Sequence, residues 1–330
     1  MKKKAIITGI NGQDGSYLAE LLLAKGYEVH GIVRRSSLEN DKKLVNLKNS
    51  MDKIELHHCS MEDHLSLYKL ISHIIPDECY HLAASSFVSY LFDDELSIVN
   101  TNFNATHYLL SSIKELVPNC RFYFAGSSEM FGEPETSPQD EECRFNPRSI
   151  YGISKLASYY VTKNYREQYG LYCCTGITYN HESPRRGHSF VTRKITSGVA
   201  KIVMGKARKL ELGNLDTVRD WGYAPDYAQA MWLMLNNPLG PKDYVISTGI
   251  GHTVKNFLDV AFSLKGLDYR DYVEVNQKYF RPAEKKCLIG NSSLIKEELG
   301  WMPTKKFEDI ITDMVLGDID LLSNNVQECG

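Results

Sequence analysis

Ala5-Ile6-Ile7-Thr8 is a short β-branched run that stops at Gly9. Gly12 and Gly15 follow at three-residue intervals, and a helical pattern then runs through Tyr17, Leu18, Leu21 and Leu22. Strand, glycine-rich turn and helix, in that order, constrain this chain more than any other stretch. Glycines let the backbone approach a pyrophosphate, whose charge rests on the N-terminal end of the helix. The spacing alone is a weak signal, since the alternative is a mere glycine-rich turn; its place directly after the first strand gives it force.

The pattern repeats downstream. Glu28–Val33 reads as a second strand, Lys53–His58 as a third, 78–84 as a fourth and Arg121–Gly126 as a fifth, with helical periodicity over Ile98–Lys114. Strands alternating with helices predict an α/β fold, a doubly wound parallel sheet of Rossmann type with ligands at the carboxyl ends of its strands. Gly9, Ala83 and Ser127 should meet at that edge. A smaller C-terminal α/β substrate domain is expected after the first 175 residues, with a segment near 215–250 returning to the main sheet. Met231–Leu235 reads as apolar core helix.

After the second strand, where an Asp or Glu would accept from an adenosine 2′-hydroxyl, the chain has Arg34-Arg35-Ser36-Ser37. Two guanidiniums and two hydroxyls suit a 2′-phosphate, so NADP is the expected cofactor. The alternative is that the arginines face solvent or a neighbouring subunit.

Past the fifth strand come Ser127 and Glu129, spaced as on a strand end, and then Tyr151-Gly152-Ile153-Ser154-Lys155, whose tyrosine and lysine share one helix face. An ammonium beside a phenol favours the phenolate, so Tyr151 is the candidate base at a sugar hydroxyl, with Glu129 as a separate acid/base. On its own, Tyr-x-x-x-Lys is more often a surface pair; the glycine turn changes the balance.

Composition is that of an ordinary soluble chain of 330 residues, with a net charge of −3 and no run long enough to cross a bilayer, so neither nucleic acid nor membrane is an expected partner. The lysine-rich start leads into a strand rather than a signal-peptide core, which makes the cytoplasm the default. The eight cysteines show no C-x-x-C pair and no zinc spacing, so free thiols and no metal are expected.

Further stretches have a family look: 12–20 (Gly-Gln-Asp-Gly-Ser-Tyr-Leu-Ala-Glu), Val33–Ser37, Asn180-His181-Glu182-Ser183-Pro184-Arg185-Arg186-Gly187, Phe190–Ile195, Gly213-Asn214-Leu215-Asp216, Arg219-Asp220-Trp221-Gly222 and Arg281-Pro282-x-Glu284. Together with the glycine turn and Tyr151/Lys155, they make the chain resemble the extended short-chain dehydrogenase/reductases, and within them the GDP-mannose 4,6-dehydratase family, over nearly its whole length.

The resemblance implies an internal redox cycle on a GDP-sugar. Tyr151 removes the O4 proton while hydride passes from C4 to NADP, Ser127 holds O4, and Lys155 supports the phenolate and the nicotinamide ribose. Glu129 takes the acidified C5 proton and helps expel the C6 hydroxyl as water, and the hydride returns to C6, giving a 4-keto-6-deoxy sugar. Gly9, Asn11, Gly12, Gln13, Asp14, Arg34, Arg35, Ser36, Ala83, Tyr151, Lys155 and His181 are then implied to line the cofactor, although packing is the other reading of His181. Ser85, Glu129, Asn180, Arg186, Lys194, Gly213, Asn214, Arg219, Arg281 and Glu284 are implied to line the substrate. Asn180–Gly187 is expected as a loop over the sugar, with Glu182 near sugar or nicotinamide and Arg193 as a further phosphate contact. A homodimer or homotetramer is implied too.

The chain departs from the family at Ser60-Met61, where an Asp-Leu pair is usual, at Ser85 and Phe87, which replace Gln and His beside the sugar, and at Asn104, usually glycine. The loss of two polar partners leaves a modified GDP-hexose or a GDP-heptose open beside GDP-mannose. An NADP-dependent epimerase or reductase is the rival reading, in which Glu129 is idle; a non-catalytic dinucleotide-binding regulator is a third.

Overall fold

The computed structural model describes residues 2–38, 44–85, 92–280 and 287–327. Phe87, Arg281 and Glu284 therefore lie outside the described residues. The elements run β1 (Lys4–Thr8), α1 (Gln13–Ala24), β2 (Glu28–Val33), α2 (Arg35–Leu38), β3 (Ile54–His58), α3 (His64–Ile74), β4 (Glu78–His81), α4 (Phe92–Val99), α5 (Ala105–Leu116), β5 (Arg121–Ala125), α6 (Ile150–Tyr169) and β6 (Cys173–Thr178). They continue through β7 (Asn180–Glu182), α7 (Val191–Val203), β8 (Leu210–Leu212), β9 (Val218–Tyr223), α8 (Ala224–Leu235), β10 (Tyr244–Ile246), β11 (Gly251–Thr253), α9 (Val254–Ser263), β12 (Val273–Val275), α10 (Ser293–Leu299) and α11 (Phe307–Gln327).

Seven strands form one sheet in the order β10-β6-β5-β4-β1-β2-β3, and each neighbouring pair is parallel. Burial on both faces explains the continuous apolar character of β1 and β5. Ile7 and Tyr123 join the core beneath α1 and α8, while their chain neighbours Ile6, Phe122 and Phe124 join the core beneath α3 and α5. That alternation is the period of a strand read through two hydrophobic layers. Met231, Met234 and Leu235 of α8 are buried in the first of these cores, as their apolar run predicts.

α8 and β10 return to the main sheet, β10 pairing with β6. β7, β9 and β11 form a separate three-stranded sheet, and β8 pairs with β12. Behind them α7, α9 and α11 enclose a third core around Trp221, Phe257 and Phe307. Among the described residues, no helix is long and apolar enough to cross a membrane.

Local details differ from the sequence expectations. The helical stretch expected over Ile98–Lys114 is interrupted: α4 and α5 are joined by a π-helical turn at Asn100–Asn104. Ser127 and Glu129 do not lie on a strand end. β5 stops at Ala125, and Ser127 instead caps a 3₁₀ turn over Ser128–Met130, its Oγ accepting from the Glu129 N–H at 3.2 Å. A serine hydroxyl satisfies a freed backbone donor readily, which favours a turn over a longer strand.

Candidate active site

The carboxyl edge of the sheet is shaped first by Thr8 and Gly9. The Thr8 hydroxyl accepts from Leu82 N–H at 3.1 Å and Ala83 N–H at 3.0 Å, locking the ends of β1 and β4 together. It also contacts His81 Nδ1 at 2.9 Å; burial, aided by the nearby Lys155 charge, pushes that imidazole down to about 3 and keeps it neutral. Gly9 has φ of 71°, and a Cβ there would stand 3.0 Å from the Ala83 Cα. At Gly15 a Cβ would stand 2.5 Å from the Gly9 carbonyl oxygen. The turn therefore tolerates only glycine where it is tightest. α1 begins at Gly12 without a side-chain cap, leaving its first amides to an anion.

Asn11 lies beside this turn and Ser37, its Nδ2 3.4 Å from Ser37 Oγ. Arg34 and Arg35 are exposed at the end of β2, with Arg35 opening α2. Ser36 follows in α2. Gln13 and Asp14, expected against the cofactor, are a buried and a half-buried residue at the start of α1, and both bond to the β7 segment. Gln13 Nε2 donates to the His181 carbonyl at 2.9 Å, and its Oε1 accepts from Ser183 Oγ at 2.8 Å. Asp14 lies 3.0 Å from His181 Nε2, and His181 stacks on Tyr227 with ring centroids 4.3 Å apart.

The candidate reaction centre lies where β5 hands over to α6. Ser149 caps α6, its Oγ accepting from Gly152 N–H at 3.1 Å, and Gly170 ends the helix with φ of 68°. Tyr151 is on the first turn and Lys155 one turn later. A Cβ on Gly152 would stand 2.5 Å from the Glu129 carbonyl oxygen, so the Glu129 turn packs directly on the first turn of α6. Ser127, Glu129 and Tyr151 are thereby brought together, and Lys155 lies beneath them.

Lys155 is buried and donates through Nζ to the Ala125 carbonyl at 2.8 Å; the ammonium is 4.8 Å from the Phe124 ring centroid and 5.9 Å from that of Tyr151. Burial pulls it down to about 7, with Asp14 acting upward. Tyr151 is pushed up to about 12, chiefly by burial and further by Glu129, while a hydrogen bond with Ser127 and the charge of Arg186 pull it down. The Lys155 ammonium is directed at a backbone carbonyl and not at the phenol.

Asn180–Gly187, expected as a loop, is one only from Ser183 onward. Asn180–Glu182 is the strand β7, and His181, Glu182 and Ser183 are buried. Glu182 accepts from Thr192 Oγ1 at 2.6 Å and lies 3.2 Å from Arg186 Nε; burial raises its pKa against the pull of Arg186. Hydrogen bonds of Glu182 and Ser183, and ion pairs of His181 with Asp14 and of Arg186 with Glu182, replace apolarity as the condition for burial. Arg186 packs its guanidinium 3.6 Å from the Phe190 ring centroid while influencing Tyr151. Arg193 departs from its expected role: it is buried, with Nη2 and Nε each 2.8 Å from Asp318 Oδ1, and it also donates to the Pro184 carbonyl.

Of the remaining expected substrate residues, Lys194 lies 3.9 Å over the Tyr279 ring, and a Cβ on Gly213 would stand 2.5 Å from the Tyr279 carbonyl oxygen, so these two converge on Tyr279. Asn214 is exposed in the adjoining turn, where its Oδ1 accepts from Asp216 N–H. Arg219 is half-buried on β9, donating to the Val218 carbonyl at 2.8 Å.

The residue that sequence reasoning missed is Asn102. Buried in the π turn, it accepts from Ser85 N–H at 2.9 Å and donates to Ser154 Oγ at 3.1 Å, while its carbonyl takes Thr106 Oγ1 at 2.8 Å and Ser158 Oγ at 3.2 Å. It positions α6 and the Ser85 backbone together. The available signal was a polar residue on the buried stripe of Ile98, Ala105 and Leu109.

The family model described as GDP-mannose 4,6 dehydratase matches residues 6–314. The chain is 48% identical over 329 residues to GDP-mannose 4,6 dehydratase 2 of Arabidopsis thaliana, covering 97% of this chain and 88% of the relative. It is 43% identical over 345 residues to GDP-mannose 4,6 dehydratase of Homo sapiens, covering 97% and 92%. Among solved structures the fold is similar to that of RMD from Pseudomonas aeruginosa complexed with NADPH, with a TM-score of 0.81 at 20% identity and 97% and 100% of the two chains covered. It is also similar to dTDP-glucose 4,6-dehydratase from Bacillus anthracis in complex with NAD, with a TM-score of 0.82 at 20% identity and 96% of each chain covered. The chain therefore belongs to the GDP-mannose 4,6-dehydratase family.

Proposed function

We propose that this chain removes water from a GDP-sugar, with GDP-mannose the first candidate, to give the 4-keto-6-deoxy sugar, and that NADP is its cofactor. The observation that carries this reading is the junction of Glu129 with Ser127 and Tyr151 at the start of α6: a carboxylate that an epimerase or reductase does not need is packed onto the first turn of the helix that carries the base. A nicotinamide dinucleotide, when bound, supplies the hydride acceptor and gives the hydride back. The uncapped start of α1 and the tight turn at Gly9, Gly12 and Gly15 suit its pyrophosphate, and exposed Arg34 and Arg35 suit a 2′-phosphate.

In this reading Ser127 orients the sugar O4 and Tyr151 takes its proton. Ser127 and Arg186 already act to lower the Tyr151 pKa, and the buried Lys155 ammonium, freed from the Ala125 carbonyl, would add to them. Once C4 is a ketone the C5 proton is acidic, and Glu129 removes it and delivers a proton to the departing C6 hydroxyl. Ser85, held through its backbone by Asn102, is the candidate neighbour of the sugar; Arg219 and Arg281 are the candidate diphosphate contacts, Glu284 the candidate acceptor from the nucleoside ribose, and Lys194, Gly213 and Asn214 complete the proposed pocket. A homodimer or homotetramer in the cytoplasm remains the expected setting.

The test incubates the purified chain, without reductant, with GDP-mannose and separately with GDP-manno-heptose, and follows loss of one water by mass spectrometry. Water loss from GDP-mannose that vanishes in Glu129→Gln is the expected result. Loss from the heptose alone would move the substrate, and no loss from either, with dinucleotide bound, would overturn the dehydratase reading in favour of an epimerase, reductase or regulator.

A further inference from the structure

The β2–β3 edge of the main sheet carries a cluster that the reaction does not use. His30 of β2 stands opposite Glu55 of β3, and Ile32 opposite His57, so Glu55 and His57 project on the same face as His30. Among the described residues, these three form a group whose ligand atoms all lie within 4.8 Å of one another. His30 Nδ1 is 3.0 Å from His57 Nε2, Glu55 Oε2 is 3.6 Å from His30 Nδ1, and Glu55 Oε1 is 3.6 Å from His57 Nε2.

We propose that His30 Nδ1, His57 Nε2 and the Glu55 carboxylate form a binding site for a zinc-type divalent cation, with water in the fourth position. Tetrahedral ligands held about 2.0–2.1 Å from zinc are separated by about 3.3–3.4 Å, and the three spacings bracket that value. Two imidazoles and a carboxylate are ligands of the kind that zinc and its first-row neighbours accept. The outer shell is present too: His30 Nε2 lies 2.9 Å from Glu28 Oε1, the carboxylate–histidine arrangement that fixes a tautomer. With its proton on Nε2, His30 directs the Nδ1 lone pair into the cluster. His57 then donates from Nε2 in the empty site and presents that lone pair once its proton moves to Nδ1.

Access is one-sided. His30 is buried, His57 is half-buried and Glu55 is exposed, so an ion reaches the site from solvent and is held by a buried ligand. Lys4 lies 3.7 Å from Glu28 and competes only for that outer carboxylate. Bound metal would clip β3, the edge strand, onto β2, whose end presents Arg34. No local spacing motif announces the site, because its ligands come from two separate strands.

The test uses the full chain free of any affinity tag, stripped with chelator, dialysed against zinc and assayed by mass-spectrometric metal content, with cobalt substitution followed by visible absorption. One zinc per chain, a raised thermal midpoint and a tetrahedral cobalt spectrum are expected, and all three should be lost in Glu55→Gln/His57→Asn. Both substituted residues have access to solvent, and circular dichroism of the stripped variant verifies its fold. Failure of the parent to retain zinc, or equal retention by the folded double variant, would overturn the proposal. Dehydratase activity has no part in this readout.

Discussion

His181 Nε2 lies 3.0 Å from Asp14 Oδ2, joining β7 of the small sheet to the first turn of α1. Burial pushes the Asp14 carboxyl up, but His181 overrides it and holds the group below 3.8; burial likewise pulls His181 down, and Asp14 overrides it and holds the imidazolium above 6.5. The aspartate contributes stability above 3.8 that is lost as pH falls through its lowered folded value. The histidine contributes stability that is full below 6.5 and is lost as pH rises through its raised folded value. A double-mutant cycle with Asp14→Asn and His181→Asn should give a coupling of about 0.5–3 kcal/mol, greatest between pH 3.8 and 6.5. Denaturant unfolding at several pH values checks it, and a coupling that does not decline toward pH 9 would remove the pair from the account.

Lys155 has the opposite sign. Its folded pKa is about 7, against 10.5 when unfolded, so the unfolded chain binds more protons between those values and stability rises with pH across that window. Lys155→Met should be inactive yet more stable than the parent at pH 7 and below, by on the order of several kcal/mol, since each displaced pKa unit is worth about 1.4 kcal/mol. The advantage should shrink as pH approaches 10.5. Thermal unfolding of both proteins against pH measures it; a constant difference would mean that the ammonium carries no burial penalty.

These two groups show which parts of the site can be read from sequence. Strand, glycine turn and helix were legible because each depends on neighbours within a few residues, and so was the Tyr151/Lys155 face. The partners were not. Gln13 and Asp14 turn inward to His181 and Ser183, far along the chain, and the same long-range bonds convert Asn180–Glu182 from an expected loop into a buried strand. Polarity predicts exposure only when no distant group satisfies it. The partner of Lys155 was not legible for a related reason, because the Ala125 carbonyl that engages it is placed by the end of β5 and not by helix spacing.

Two glycines should separate cofactor binding from chemistry. Gly15→Ala puts a methyl 2.5 Å from the Gly9 carbonyl oxygen, and Gly152→Ala puts one 2.5 Å from the Glu129 carbonyl oxygen. Neither backbone atom is the end of a flexible side chain, so each turn must shift, at a cost of about 1–3 kcal/mol. Gly15→Ala should weaken dinucleotide binding in fluorescence titration. Gly152→Ala should retain that binding and lose most of kcat. Equal effects of the two on binding would contradict the separate placement of the turns.

The Arg193–Asp318 pair ties α7 to α11 without a place for substrate. Both side chains are buried, and Asp318 also accepts from Thr196 Oγ1 at 2.7 Å. Removing one partner leaves a buried charge, which typically costs about 3–5 kcal/mol. Asp318→Asn should therefore lower the thermal midpoint markedly, while KM for the GDP-sugar at a temperature where the variant is folded stays within about twofold, well below the tenfold per 1.4 kcal/mol of a lost phosphate contact. A large KM increase with an unchanged midpoint would restore Arg193 to the substrate site.

The arginines at the end of β2 offer a test of the proposed preference for NADP. Arg34 and Arg35 are exposed, so they pay little desolvation in the free protein and can reorganise around a dianionic 2′-phosphate. A hydrogen bond to a charged group contributes about 1.5–3 kcal/mol, hence a loss of roughly 10- to 150-fold in NADP affinity for each arginine that makes one. NAD lacks the phosphate and should bind Arg34→Ala and Arg35→Ala almost as it binds the parent. The comparison is best made by titration at two ionic strengths, because a contact to phosphate weakens with salt whereas a merely structural role does not. If either substitution weakens NAD and NADP equally, that arginine supports the turn or a neighbouring subunit and does not read the phosphate; if both do, the NADP assignment fails.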